Sequence, residues 1–373
     1  MTSYGKNIEI HIFGGSHDEE IGVTVEGLPA GIAVDTEKLG KFMARRAPGR
    51  NKLTTSRKEP DIPVFTSGLD ENNVTDGSTF RAVIRNTNVR SSDYKNLRTV
   101  PRPSHADFTA MIKSGGNADL RGGGHFSGGL TAPLCIIGGI LKAELEKRGI
   151  YIGAHISNVS GCCDTPFDSV SVSKSDFDAV LSHDFPVLNM ESGEKMKEII
   201  DEARRDLDSV GGVIECAVIG LPIGLGEHIF AGMESRIASI VFSVPAVKGV
   251  EFGAGFASAG MRGSENNDPF YADDEARRSG DKTKIRTKTN NAGGILGGMT
   301  SGMPVIFRAA IKPTPSIGQE QDSVDMSTLE NVKLTIEGRH DPFIGARAVP
   351  VIEAAAAIAI YDAMLDSTEE MEK

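Results

Sequence analysis

Apolar and polar positions alternate over residues 7–12 and 21–26, which predicts two strands split by the turn Gly14-Gly15-Ser16-His17-Asp18. From Asp35 the period becomes helical. Asp35 is a suitable N-cap, Leu39, Phe42 and Met43 form the apolar stripe, and Arg45, Arg46 and Pro48-Gly49 close the helix. Further strands are predicted over 79–85, 151–159, 304–311 and 332–336. Ser104 reads as the cap of a short helix holding His105, Asp107 and Phe108. A second helix is opened by Pro133 and runs to Gly149. A third starts after Ser192, with Met196, Ile200, Ala203, Leu207 and Val210 on one face, and ends at Gly211-Gly212. Helices are also predicted over about 232–243 and, rich in alanine, over 349–365. Residues 91–104 and 258–285 read as loops, and the acidic segment 367–373 as a disordered tail.

One pattern recurs. Val25-Glu26-Gly27-Leu28-Pro29-Ala30-Gly31 returns as Val218-Ile219-Gly220-Leu221-Pro222-Ile223-Gly224, each copy between an apolar strand and a helix. Two copies are too few for a solenoid. Two readings stand: chance recurrence of a turn, or a single large domain, residues 1–366, built from two related strand–turn–helix halves. Either way the elements make an α/β (α+β) chain.

Composition narrows the function. A net charge of −11 argues against bulk nucleic-acid binding. The four cysteines show no CxxC or His/Cys spacing, so no metal site is expected and a reducing cytoplasm is. The N-terminus has no basic-then-apolar leader pattern, and the longest apolar run, Ala132 to Leu141, is too short to span a bilayer. No membrane association is expected.

Against that acidic background, residues 38–58 carry eight basic residues and no acidic one. The run is either a solvated basic face or a cradle for a polyanion. No acidic residue occurs between Lys282 and Gln319 either. That span includes Lys312-Pro313-Thr314-Pro315-Ser316, a stiffened loop presenting a lysine and two hydroxyls, open between a plain turn and a phosphate or flavin site. The loop Arg121-Gly122-Gly123-Gly124-His125-Phe126-Ser127-Gly128-Gly129 precedes a helix N-terminus, an anion site in principle but neither a Walker A loop nor GxGxxG. Gly338-Arg339-His340-Asp341-Pro342 sets a cation, an imidazole and a carboxylate on a proline-closed turn, read as a capped helix start or as a site. His17, His105 and Asp341 are the candidate proton carriers, with His125 and His340 beside them. Together these residues suit an enzyme acting on a small polyanion.

At these residues the chain resembles chorismate synthases. Ser16-His17, Arg45-Arg46 with Pro48-Gly49, Arg102-Pro103-Ser104-His105-Ala106-Asp107, Arg121 to Gly124, Asn291 to Gly298, Lys312 to Ser316 and Gly338 to Pro342 resemble the family's motifs in order. The resemblance implies a homotetramer whose helices are sandwiched between antiparallel β-sheets. It implies conversion of 5-enolpyruvylshikimate 3-phosphate to chorismate and phosphate by trans-1,4-elimination. It also implies a requirement for FMN reduced by a separate flavin reductase or other electron donor. By motif, His17 with Ser16 beside it would protonate departing phosphate, His105 would sit at the flavin, and Asp341 would assist proton removal. Ser127, His125, Ala246, Gly297, Lys312, Pro313, Thr314, Pro315, Ser316 and Arg339 would contact FMN, and Arg45, Arg46, Lys52 and Arg339 the substrate. The chain departs from the commoner family pattern at Gly15, Asp18, Ala47, His125 and Phe126, and at Gly129, where an arginine is expected. Loss of that cation motivates a second reading, a flavin- or phosphate-binding paralogue with reduced or lost turnover.

Overall fold

The computed structural model describes residues 3–49, 61–86, 99–336 and 341–371, the last five for their backbone alone. Strands β1 (Ser3–Tyr4), β2 (Glu9–Phe13) and β3 (Glu20–Glu26) lead to helix α1 (Thr36–Arg46) and then β4 (Val64–Ser67) and β5 (Phe80–Arg85). Asp35 caps α1 by accepting the Lys38 N–H at 2.9 Å, as its sequence predicts. Helices α2 (Asp107–Lys113) and α3 (Thr131–Lys147) follow, then β6 (Tyr151–Val159), β7 (Cys162–Cys163), α4 (Lys174–Leu181), α5 (Met190–Arg205) and β8 (Gly212–Ile219). The chain continues through α6 (Met233–Ser243), β9 (Val247–Phe252), α7 (Gly263–Asn266), β10 (Phe270–Tyr271), α8 (Asp274–Ser279) and β11 (Arg286–Thr287). It closes with β12 (Ile295–Leu296), β13 (Met299–Thr300), β14 (Val305–Ile311), β15 (Gln321–Asp325), β16 (Glu330–Leu334) and α9 (Gly345–Met371).

Two five-stranded antiparallel sheets, ordered β1-β2-β3-β5-β4 and β7-β6-β8-β14-β9, enclose the helices. Helix α3 packs on β3 and β5, α9 packs on β6 and β8, and the two helices pack on each other. They come closest at Gly138, where an added Cβ would stand 2.3 Å from the Ala354 Cβ. The segments Arg121–Lys147, which includes α3, and Gly345–Asp366 of α9 are long and apolar enough to cross a membrane by composition, yet most of α9 is covered inside the core. A helix apolar on all sides is what the middle layer of a sandwich requires. One buried core runs from Ile8 to Ala363.

The two halves are copies. Elements β2, β3, α1, β4, β5 and α3 correspond in order and pairing to β6, β8, α6, β9, β14 and α9. The echoed turns confirm it at atomic detail. The Thr75 hydroxyl donates to the Pro29 carbonyl at 2.6 Å and accepts the Ile32 N–H at 2.9 Å. The Thr300 hydroxyl donates to Pro222 at 2.5 Å and accepts Leu225 N–H at 2.9 Å. The second half carries an insertion between β9 and β12. It is not the open loop that its polar sequence suggests, because α7, α8 and the β10–β11 pair structure it. Asp268 staples its end by accepting the Asn291 and Ala292 N–H groups at 2.7 and 2.9 Å.

Three other boundaries differ from the sequence reading. Helix α2 starts at Asp107 without a side-chain cap, because Ser104 lies at φ +59° and turns the chain instead of capping it. Asn189 caps α5, which ends at Arg205, short of Leu207 and Val210. Helix α9 starts at Gly345, so Pro350 falls in its second turn and leaves the Ala346 carbonyl without an intrahelical donor.

Buried charge ties the layers. Glu353 of α9 accepts two Arg45 bonds at 2.6 and 2.8 Å and one from Lys142 at 2.6 Å. Burial alone would raise its pKa, but the two cations outweigh burial and hold it down at about 2. His155 is fully buried between Asp164 and Glu215, each at 3.0 Å.

Candidate active site

The loop Arg121–Phe126 folds back on itself through three consecutive left-handed glycines, Gly122, Gly123 and Gly124. Ser16 and His17 lie on one side of it. A Cβ added to Gly122 would stand 2.4 Å from His17 Cε1 and 2.5 Å from Ser16 Oγ. His105 lies on another side, with Nε2 3.5 Å from a Cβ built on Gly123, and the Ser127 Cβ is 3.6 Å from the same point. The Ser16 N–H donates to the Gly124 carbonyl at 3.1 Å, and His125 Nδ1 meets the Gly14 carbonyl at 2.8 Å. Side chains from three places in the sequence, residues 16–17, 105 and 125–127, thus meet at one left-handed glycine turn.

The His105 segment docks on its other flank. Residues 99–101 bind the β15–β16 hairpin through the Ser323 hydroxyl to the Pro101 carbonyl at 2.6 Å and the Met326 N–H to Thr99 at 2.9 Å. That brings the loop 102–107 against the loop 312–316. Lys312 Nζ donates to the Ser104 carbonyl, and Arg102 Nη1 to Ser316 Oγ at 3.3 Å. Lys312 N–H donates to the Ala246 carbonyl at 2.9 Å, and Pro313 packs on Gly211. Burial, with a contribution from Lys248, pushes the Lys312 pKa below the ordinary lysine value.

Asp341 reaches the same region through Arg347. Arg347 Nη1 donates to Asp341 Oδ2 at 2.7 Å and Nε to the Arg46 carbonyl at 3.0 Å. Arg46 in turn donates to the Gly128 carbonyl at 3.1 Å, just past the glycine turn. The basic run behaves differently from a polyanion cradle. Among its described members Lys38, Lys41, Arg45 and Arg46 pair with Glu146, Glu37, Glu353 and Asp61. Arg46 is buried against Asp61, and Arg45 is committed to Glu353.

The arrangement offers imidazoles, hydroxyls and a carboxylate with the Lys312 ammonium beside them, which suits acid and base work on a small anion. The family model described as chorismate synthase matches residues 8–365. The chain belongs to the chorismate synthase family. It is 43% identical to the chorismate synthase of Lancefieldella parvula, over 98% of this chain and 96% of that protein. The protein of that name from Pyrococcus abyssi is 42% identical, over 97% of each. A crystal structure of chorismate synthase superposes over 98% of this chain and 93% of its own length, with a TM-score of 0.75 and 26% identity. As a chorismate synthase family member, the protein is an enzyme of the lyase class.

Of the residues expected from the family motifs, Ser16, His17, His105, His125 and Ser127 surround the glycine turn. Lys312, Ser316 and Ala246 join the His105 flank, and Asp341 and Arg46 are joined through Arg347. Gly297 is not brought to them within the chain. It tops the β12–β13 hairpin at the Val305 end of β14, about 20 Å of strand from Lys312. Lys52 and Arg339 lie outside the described residues. The Thr314 hydroxyl is buried and has no partner among the described residues, whereas the Thr314 carbonyl accepts the Ser209 hydroxyl at 2.7 Å. A buried orphan hydroxyl beside Lys312 suits a bound group with acceptor or donor atoms, and a flavin mononucleotide has such atoms.

Arg102, Asp107, Asp119 and Arg347 also border the site, with no role for them legible in residue type alone. Asp119 lies in the field of His17, and its hydrogen bonds from Arg121 hold its carboxyl down at about 2. The spacing of Asp107, two residues past His105, was the one available signal.

Proposed function

We propose that this chain converts 5-enolpyruvylshikimate 3-phosphate to chorismate and inorganic phosphate by trans-1,4-elimination with reduced FMN. The observation that carries the reading is the convergence of Ser16, His17, His105 and Ser127 on the Gly122–Gly124 turn, in a chain of this family. His17 bears the proton for the departing phosphate oxygen, with the Ser16 hydroxyl beside it. Asp341, oriented by Arg347, receives the ring proton. Ser127, His125, Ala246, Lys312, Pro313, Thr314, Pro315 and Ser316 hold the flavin, with Arg339. When bound, reduced FMN supplies the electron density that eases loss of phosphate. Of the motif cations, Lys52 is proposed to meet the substrate, Arg46 acts on it through the Gly128 carbonyl it holds, and Arg45, paired with Glu353, supports the helices behind the site instead. A contact from Gly297 requires a neighbouring copy, in keeping with a homotetramer. The exposed Phe230 and Phe256, 93% and 85% accessible, support association. A separate reductase or other donor reduces the flavin. We read the protein as cytoplasmic, a single domain over residues 1–366, with four free cysteines suited to a reducing compartment. The reading as a binding paralogue without turnover gains no support from the fold or the relatives.

The test is anaerobic. Full-length protein with chemically reduced FMN is expected to release phosphate and form chorismate from the substrate. No release at any flavin concentration overturns the proposal. NADPH consumption dependent on added FMN would mark a bifunctional enzyme instead of one served by a separate donor.

Gly129→Arg measures what its missing cation costs. Among the described residues a Cβ at Gly129 meets only Ser127 Oγ, at 3.3 Å, so a side chain fits beside them with a small shift of that hydroxyl. A guanidinium there is expected to lower KM for the phosphorylated substrate by about 10-fold, the worth of one charge-assisted hydrogen bond. An unchanged KM would place position 129 away from the substrate.

A further inference from the structure

The loop that carries His105 contains a second, wholly buried carboxylate. Asp107 Oδ1 stands 2.5 Å from His105 Nδ1 and 2.8 Å from Arg102 Nη2. Asp107 Oδ2 accepts Arg102 Nε at 2.7 Å and the Arg102 backbone N–H at 3.1 Å. Arg102 Nη2 also stands 3.1 Å from His105 Nδ1. Not all of these are hydrogen bonds to one form of the ring. A bare Nδ1 would set its lone pair against the Asp107 oxygen at the shortest of these distances. A protonated Nδ1 donates into that oxygen, and Arg102 Nη2 is then a neighbour already committed to Oδ1. Burial would raise the Asp107 pKa, but bonds from Arg102 and His105 overcome it and hold the carboxyl well below the usual range. The carboxylate is thus a fixed acceptor. The opposite ring nitrogen, Nε2, faces the Gly123 turn.

We propose that Asp107, clamped by Arg102, is a positioning residue that keeps the proton of His105 on Nδ1 and presents Nε2 to the ligand face of the glycine turn. The inference rests on the function proposed above only in taking that face as the place where His105 works. Arg102 extends the device, because its Nη1 also holds Ser316. One guanidinium therefore sets the carboxylate, the imidazole and the 312–316 loop relative to one another. The logic is that of an aspartate behind a working histidine, here built on a different fold and within a single turn of sequence.

Asp107→Asn discriminates. An amide has one acceptor oxygen. At the Oδ1 position Arg102 Nη2 can turn its hydrogen to His105 Nδ1, 3.1 Å away, once that nitrogen is bare. The Oδ2 position faces the Arg102 backbone N–H and Nε, which have no other acceptor among the described residues. The amide oxygen settles there and its NH2 faces His105 Nδ1. The ring must then accept at Nδ1 and carry its proton on Nε2. Ring 15N–1H spectra of the flavin-free, full-length protein over pH 6–9 are expected to show Nδ1 protonated throughout in the parent. In Asp107→Asn the proton is expected on Nε2. In the anaerobic assay the variant is expected to lose kcat by ~10²-fold or more with KM near that of the parent. A neutral parent ring with its proton on Nε2 alone overturns the proposal, and needs no variant should Asp107→Asn fail to fold. An unchanged tautomer in the variant, or a reversed tautomer with unchanged kcat, overturns it as well. Failure of the parent to release phosphate overturns the proposed function alone, and the ring spectrum still decides the role of Asp107.

Discussion

Replacing Gly122 by alanine is expected to lower phosphate release by at least ~10²-fold while the fold survives. Gly122 sits at φ +59°, where an L-residue is strained by about 1–2 kcal/mol. Strain alone does not touch the chemistry. The added methyl does, because it would stand 2.4 Å from His17 Cε1, 2.6 Å from His17 Nδ1 and 2.5 Å from Ser16 Oγ. Side chains yield more readily than backbone, so the imidazole and the hydroxyl move off the turn and the chain stays folded. A displacement of about 1 Å at a reacting group is worth ~10²-fold in rate. Gly115→Ala is the control. It has nearly the same φ, +61°, and none of the described residues lies within 4 Å of its Cβ. It is expected to lose about 1 kcal/mol of stability and keep its kcat. His17→Ala is expected to lose ~10²–10⁴-fold. If Gly122 acts through His17, adding Gly122→Ala to His17→Ala costs little more, since mutations that disable one group do not add. Normal turnover in Gly122→Ala would mean that His17 does not work where the structure holds it.

The repeated halves were legible because a duplicated turn leaves duplicated residues. Pro29 and Pro222, and the glycines around them, announce the two copies. The threonines that clasp those turns, Thr75 and Thr300, lie 46 and 78 residues away from the prolines they bind and left no local sign. The same limit governs the charges. The run 38–58 reads as a surplus of cations because the carboxylate that neutralises Arg45 stands 308 residues later, in an alanine-rich helix. Only folding shows that Glu353 is the partner of both Arg45 and Lys142. At the site, motif residues identified the histidines, but not what orients them. Ser104 looks like a helix cap by residue type, yet the left-handed turn there exposes its carbonyl to Lys312 and swings His105 toward Gly123. A backbone sign reversal at a non-glycine residue has no signature in residue type, so the clamp of Arg102 on Asp107 emerges only in three dimensions.

Removing the buried imidazole is expected to be the largest single loss of stability, and to change its pH dependence. His155 stacks edge-on against Phe167, with centroids 4.6 Å apart, and bridges Asp164 and Glu215. Both carboxylates are also held by backbone: Asp164 by the Leu188 and Asn189 N–H groups at 2.6 and 2.9 Å, Glu215 by the Phe167 N–H at 2.7 Å. Burial would lower the His155 pKa, but the two carboxylates outweigh it and raise it. A raised folded-state pKa stabilises fully below the unfolded value, about 6.5, and that stability is lost as pH rises through the folded value. Asp164 runs the other way. Burial raises it, but His155 and the two amides hold it below the ordinary carboxylate value, so its contribution fails only as pH falls below about 4. Urea unfolding of the parent should therefore show stability declining from about pH 6.5 upward. His155→Gln leaves two buried carboxylates facing a neutral amide, and about 3–5 kcal/mol should be lost at pH 6. The decline above pH 6.5 should flatten in the variant, because the group that titrates is gone. Parallel stability profiles for parent and variant across pH 6–9 would show that His155 stays neutral in the folded chain and that the network is held by hydrogen bonds alone.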